Sequence, residues 1–337
     1  MSFAHLVRFG ILTLDFKENR NYFDFLRCVV NVASRKSMET FQLSHTPVML
    51  REVLNSLPEG RVERCLDVTT GGAGHLAAIL EQKPRWKADA WDRDPDAEAR
   101  IWKNLSARGL EGRVQFTRKD FAQPPVDPSV LYDFIMADIG VSSFQLDDHA
   151  RGMSLHSEQK LDFRMDPSSG APFGVWLAAI EERKLAEIFY RYGEEPKAQN
   201  LAKKMKAWGG DSLASAKNFA DAVSRALGYN PHESRRHPAT RVFQALRIAI
   251  NDELGQLERL LEWAPGHLAE GGRLLVLSFH SLEDRIVKHR FQTLARDKGG
   301  FVLPFTKPLV PSESETESNP RSRSTKLRVI ERRSLGI

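Results

Sequence analysis

The chain has 337 residues, 41% of them hydrophobic, with a net charge of +5, a pI near 9.2 and a mean hydropathy of −0.40. That leaves room for a substantial core in one large domain or two ordinary ones, and no apolar run approaches the ~20 residues that span a bilayer, so a helical membrane protein is excluded. Cys28 and Cys65 are too few for a disulfide framework and have no metal-ligand spacing with the ten histidines, so no metal is expected and a reducing cytoplasm is.

Residues 1–37 set Phe3, Leu6, Val7, Phe9 and Ile11 among scattered charges without a period. Asp15, Glu18 and Asp24 argue against a transit peptide, and an upstream extension ahead of a start at Met38 is the expectation. His45 to Leu57 predicts a helix with Thr46 as N-cap and Pro47 at the first helical position. Cys65-Leu-Asp-Val-Thr-Thr-Gly-Gly-Ala-Gly-His75 then has the layout of a parallel strand breaking into a nucleotide-binding turn. The helix after it ends near Gln82, and Lys87 to Trp91 predicts a second strand leading to Asp92, about twenty residues past the glycines, where an acid meets a ribose.

Pro95 to Gly109 reads as a helix, Val114 to Thr117 as a third strand before Phe121, and Leu131 to Ala137 as a fourth, apolar nearly throughout and ending at Asp138-Ile-Gly140. From about Val141 to Thr240 the alternation stops, and Glu181–Tyr192, Lys197–Trp208 and Ala216–Leu227 read as short amphipathic helices. Pro238-Ala-Thr240 opens one long helix with Leu246, Ile250, Leu254, Leu257 and Leu261 on a stripe, a face that either packs inside the chain or leaves a homodimer open. Arg273 to Phe279 restores the sheet, and Thr325 to Glu331 predicts a last, antiparallel strand. The fold class is therefore α/β, a Rossmann-like, mostly parallel twisted sheet with an inserted all-helical domain. Its parts are a first core segment over 38–140, the insertion over 141–240, expected to be the substrate-recognition domain, and a second core segment with a basic tail over 241–337.

Several segments together resemble the S-adenosylmethionine-dependent methyltransferases that modify a cytosine N4 in bacterial 16S ribosomal RNA. They are His45-Thr-Pro-Val-Met-Leu50, Asp67–His75, Asp138-Ile-Gly-Val-Ser-Ser143, Gln145-Leu-Asp-Asp148, Leu161–Asp166, Tyr192-Gly-Glu-Glu195, His237–Arg247, Asn251-Asp-Glu-Leu254, Ser278–Lys288 and Asn319–Ser324. The resemblance covers about Ser44 to Arg333. It implies a Rossmann-like methyltransferase core and S-adenosylmethionine as cofactor. Its implied partner is 16S ribosomal RNA or the small ribosomal subunit, met in its decoding region in the cytoplasm with no membrane involved. It implies cofactor contacts from Ala73, Gly74 and His75 at the methionine end, Asp92 at the ribose, Phe121 and Asp138 near the adenine, and Gln145. Departures from the family pattern are Ala73 for a glycine, Phe144 for a proline, Met153 and Leu155 for aromatics, and Pro196 for an arginine.

Read from the residues alone, Gly72-x-Gly74-x-x-Ala77 with Asp92 also fits a dinucleotide-dependent oxidoreductase, and a ribosome-assembly factor that keeps the fold for RNA binding is a non-enzymatic alternative. Asp67 at the strand end, the Asp138-x-Gly turn and the helical insertion favour the methyl donor. Asp138, with the carbonyls of Ile139 and Gly140, is the candidate to stabilise charge on the methylated nitrogen, or it positions the cofactor only. His280 either lines the same pocket as a catalytic residue or caps the next helix, and Phe121 is alternatively a core aromatic. Arg164, Arg235, Arg236, Arg241, Arg321 and Arg323 are candidate RNA phosphate contacts. For Arg164 the competing use is an internal salt bridge with Asp162 and Asp166. From Asn319 onward six basic residues face a single acid, while Glu313, Glu315 and Glu317 just before them read as a solvated, charge-mixed tail.

Overall fold

The computed structural model describes residues 47–59, 63–140, 155, 157–166, 168–229, 237–297 and 300–334. The expected extension over 1–37, Thr46, Phe144, Gln145, Met153, Arg235 and Arg236 lie outside these residues. A short helix α1 (Leu50–Asn55) precedes β1 (Arg64–Asp67), α2 (Gly74–Gln82), β2 (Lys87–Asp92), α3 (Ala97–Ser106), β3 (Val114–Arg118) and β4 (Tyr132–Asp138). Five helices follow: α4 (Phe173–Ala179), α5 (Glu182–Gly193), α6 (Ala198–Lys206), α7 (Ala216–Leu227) and α8 (Ala239–Asn251). The chain then returns through α9 (Glu253–Trp263), β5 (Leu268–Ser278), α10 (Ser281–Arg296), β6 (Phe301–Val302), α11 (Glu313–Ser318) and β7 (Lys326–Arg332).

The seven strands lie in the order β3-β2-β1-β4-β5-β7-β6, parallel except for β7, which runs antiparallel to both β5 and β6. The sheet grows outward in opposite directions from β1 and β4, and a ligand crevice opens outside the carboxyl ends of strands at such a switch point. Asp67 sits opposite Met136 there, which puts Asp138 two residues farther along the neighbouring strand. These strands are apolar because both faces are covered. Met49, Leu76, Ile79, Leu80, Ile101 and Leu105 pack on one face, and Leu257, Leu260, Leu261, Val287 and Phe291 on the other.

The insertion has its own core, built on Phe163, Phe173, Phe219 and Phe243, whose rings meet edge to face with centroids 4.9–6.2 Å apart. Ala239, Val242, Phe243 and Leu246 of α8 belong to this core, so its packing runs past residue 240, the expected boundary, to Asn251.

Two expectations are corrected. The long helix from Ala239 is two helices, broken at Asp252, whose backbone is left-handed (φ 51). Aspartate tolerates that conformation, and the Asn251 side chain donates to the Arg247 carbonyl at 2.8 Å and to that of Phe163 at 2.7 Å. The stripe is divided accordingly, with Leu246 buried in the insertion and Leu257 and Leu261 buried against the sheet, so these leucines are not a face for a second copy. Pro47 is not at a first helical position either. It lies in a turn, α1 starts only at Leu50, and Met49 between them is left-handed (φ 52).

Candidate functional site

The glycine stretch reverses the chain between β1 and α2 in a turn braced from three sides. Thr70 N–H reaches the Trp91 carbonyl (2.9 Å), Ala73 N–H the Thr70 carbonyl (2.7 Å), and Asn104 Nδ2 donates to the Gly72 carbonyl (2.7 Å). Gly71 takes φ 56, which costs glycine little, whereas Ala73 takes φ 59 with a side chain and no exposure at all. No side chain caps α2, whose first N–H groups stand at the positive end of the helix. That is the receptor a carboxylate needs.

Three carboxyls surround this turn. Asp92 accepts from Gly71 N–H at 2.7 Å and from Asp94 N–H at 2.8 Å, and burial pushes it upward while those two bonds pull it down. Each oxygen keeps a lone pair for a hydroxyl. Asp67 is buried, accepts from Thr69 N–H at 3.0 Å and is pushed up to about 7 by burial, against that bond, with Asp138 and Asp92 adding to the rise. The Asp138 backbone N–H donates to Thr69 Oγ1 at 2.7 Å. Burial raises Asp138 and His75 opposes it, with His75 Nδ1 3.7 Å from Asp138 Oδ2. His75 Nε2 is 2.9 Å from the Val48 carbonyl, an acceptor only, so Nε2 carries the hydrogen and Nδ1 is the nitrogen that faces Asp138.

Ala73, Gly74, His75, Asp92 and Asp138 are thus brought to one crevice. Phe121 is half-buried against the core beside the sheet, and its carbonyl accepts from Trp263 Nε1 at 3.0 Å, so the loop after β3 is tied to α9. His280 caps α10: its Nδ1 accepts from Glu283 N–H (3.4 Å) while Glu283 Oε2 takes the N–H groups of Phe279 (2.8 Å) and His280 (3.3 Å). Glu253, His280 and Glu283 bring three potential ligand atoms within 4.8 Å of one another. Arg247 already forks both oxygens of Glu253 at 2.8 and 3.0 Å, so the charge there is balanced within the chain.

Arg164 is held by Asp162, its Nη2 2.6 Å from Oδ2, and donates to the Gly170 carbonyl at 3.0 Å, which is the internal salt-bridge use. Arg241, Arg321 and Arg323 are exposed. Sequence reasoning missed Thr69, Asn104 and Phe279. A side chain added to Gly140 would stand 2.5 Å from the Phe279 ring, so this glycine lets an aromatic lie directly against the turn after Asp138.

A family model described as the MraW methylase family matches residues 42–333. The chain belongs to the MraW methylase family. Relatives of this methylase include the ribosomal RNA small subunit methyltransferase H of Synechococcus sp. strain RCC307, 42% identical over 86% of this chain and 95% of that one. The protein of the same name from Trichormus variabilis is 39% identical over 89% of this chain and 96% of its own. Among solved structures, a precorrin-6y C5,15-methyltransferase from Geobacter metallireducens aligns with TM-score 0.42 and 10% identity over 88% of this chain and 95% of that one. The methyl donor of a MraW methylase is S-adenosylmethionine. The crevice fits it, since the buried Asp67 and half-buried Asp138 carboxyls suit a cationic ligand and the open end of α2 suits its carboxylate. No helix among the described residues is long and apolar enough to cross a membrane.

Proposed function

We propose that this methylase transfers a methyl group to the exocyclic N4 of the cytosine at position 1402 of 16S ribosomal RNA, acting in the cytoplasm on the small subunit or its RNA. The observation that carries the reading is Asp138, a half-buried carboxyl at the sheet's switch point, paired with His75 and followed by a turn against which Phe279 lies. S-adenosylmethionine, when bound, supplies the methyl on an activated sulfonium.

The N4 lone pair of cytosine is delocalised into the ring, so the nitrogen is a poor nucleophile until its hydrogens are drawn toward acceptors. Asp138 provides such an acceptor, with the carbonyls of Ile139 and Gly140 as further ones. As N4 becomes positive it must lose a proton. Asp138, raised by burial, is a better base than an ordinary aspartate, and His75 Nδ1 stands behind it to share that proton while the Val48 carbonyl fixes the other ring nitrogen. The face of Phe279 beside Gly140 offers a wall for the base.

Ala73, Gly74 and His75 hold the methionine end, Asp92 the ribose, and the Phe121 loop the adenine. Arg241, Arg321 and Arg323 take phosphates, whereas Arg164 shapes the insertion loop through Asp162. The test is incubation with isotopically labelled S-adenosylmethionine and unmodified small subunits, then digestion and mass analysis of nucleosides. Label in N4-methylcytidine is expected. Cofactor binding without transfer to subunits or free RNA would overturn the catalytic reading and favour an assembly factor.

A further inference from the structure

The acidic stretch before the basic tail reads in sequence as solvated charge, yet one of its three glutamates turns inward. Glu315 Oε1 accepts the backbone N–H of Met49 at 2.6 Å, across 266 residues of sequence. We infer that Glu315 is a positioning residue for the methyl-donor crevice, holding the Pro47–Met49 turn over the start of α2. This rests on the reading that the crevice takes S-adenosylmethionine.

The turn touches the site on its other side. The Pro47 ring lies so close to Gly74 that a side chain there would stand 2.6 Å from Pro47 Cγ, and the Val48 carbonyl is the partner of His75 Nε2 at 2.9 Å. Met49 pays for this approach with a left-handed backbone and complete burial of its side chain, a conformation that persists only where its surroundings hold it. Its N–H precedes α1, among the donors that a helix cannot satisfy itself, and the carboxylate supplies a charge-assisted acceptor.

Glu315 is itself fixed. Its N–H is capped by Ser312 Oγ at 3.2 Å, and the segment ahead of α11 is moored to β7 by paired backbone bonds between Leu309 and Leu327 at 2.9 and 3.0 Å. Glu313 and Glu317, on the same short helix, are exposed. Without the Glu315 acceptor, the Met49 N–H is left unpaired, the turn loosens from Gly74, and His75 loses the carbonyl that fixes which of its nitrogens faces Asp138.

The experiment compares Glu315→Ala, Glu315→Gln, Glu313→Ala and Glu317→Ala in the full chain. It measures the Kd for S-adenosylhomocysteine, the hydrogen exchange of the peptide covering residues 47–54, and the pH profile of kcat on small subunits. Glu315→Ala is expected to weaken S-adenosylhomocysteine about tenfold, to speed exchange of the Met49 amide at least as much, and to shift the pH profile. Glu315→Gln keeps an acceptor and should fall between Glu315→Ala and the parent, within about threefold of the parent. Glu313→Ala and Glu317→Ala should stay within about twofold, as surface changes do. If Glu315→Ala matches its two neighbours in all three readouts, the inference is wrong. Should Glu315→Ala fail to fold, Glu315→Ser, whose side chain is too short to reach the Met49 N–H, takes its place, and unchanged Met49 exchange and affinity in that variant overturn the inference equally. Failure of the parent chain to bind S-adenosylhomocysteine would instead strike the reading on which the inference rests.

Discussion

The crevice at the end of β1 and β4 and the helical insertion are built on opposite plans. In the crevice, the groups are backbone N–H groups and carboxyls at strand ends held by short bonds, two of them local and two between strands: Asp67 to Thr69, Asp92 to Asp94, Asp92 to Gly71 and Asp138 to Thr69. The insertion holds itself together with aromatic side chains brought from four separate segments, and displays its charge outside. The lesson is that the crevice is specified by the ends of visible strands and a few polar contacts, while the insertion depends on packing at long range. Each can be damaged with the other left standing.

The largest effect should come from Phe163→Ala. Phe163 touches Phe173, Phe219 and Phe243 at the centre of the insertion, and removing such a ring costs about 3–5 kcal/mol. Methyl transfer to subunits should collapse and thermal unfolding should begin earlier, while calorimetry still finds S-adenosylhomocysteine bound within about threefold of the parent affinity. Loss of cofactor binding in parallel would mean that the two plans are not separable.

Asp92→Ala inverts the pattern. It removes the acceptor for Gly71 N–H together with the acid proposed for the ribose, a loss of about 2–3 kcal/mol or on the order of a hundredfold in cofactor Kd. RNA affinity, measured by filter binding, should not change. A weakened RNA complex would show that the crevice also shapes the substrate surface.

The carboxyl cluster makes cofactor affinity depend on pH. Asp67 is pushed up to about 7, chiefly by burial, so it is protonated below that pH and negative above it. A permanently cationic sulfonium favours the ionised form, so affinity for S-adenosylmethionine should rise as pH climbs toward about 7, by up to about tenfold per pH unit with proton release, and level off above it. S-adenosylhomocysteine lacks that charge and should respond less. The same shift acts on stability with the opposite trend. Because the folded value exceeds the ordinary one of 3.8, the folded chain holds an extra proton in that window, so Asp67 makes the empty protein less stable as pH rises from about 4 to 7. Equal pH responses of the two ligands would remove Asp67 from the account.

How far the sequence exposed each region follows from the same contrast. Asp67, the glycine turn, Asp92 and Asp138 were legible because each stands at the carboxyl end of a strand whose apolar run is visible, and the sheet brings those ends together. Three helices of the insertion were legible from their period, with Ala216–Leu227 found to the residue, while the short α4 was not read. What failed had no local signature. The stripe of leucines runs straight through Asp252, because helical spacing is blind to a single left-handed residue. For Arg164 the sequence left two uses open, and the fork with Asp162 two residues away decides for the internal one. Glu315 resembles Glu313 until the chain folds back over 266 residues to Met49.

The smallest expected effect tests how tightly the crevice is specified. Ala73 stands where the family pattern has glycine, and its φ of 59 places a methyl group in the left-handed region at a fully buried position. Ala73→Gly removes that strain, worth about 1 kcal/mol, but frees the unfolded chain, which returns roughly half of it. A gain of a few tenths of a kcal/mol in denaturant unfolding is therefore expected, with cofactor Kd unchanged because Thr70 and Asn104 brace the turn independently of that side chain. A weaker cofactor complex in Ala73→Gly would show that the alanine methyl, buried with Leu76 and Ala77 in the core, holds the turn in its binding shape, so that strain at this position is part of how the crevice is preorganised.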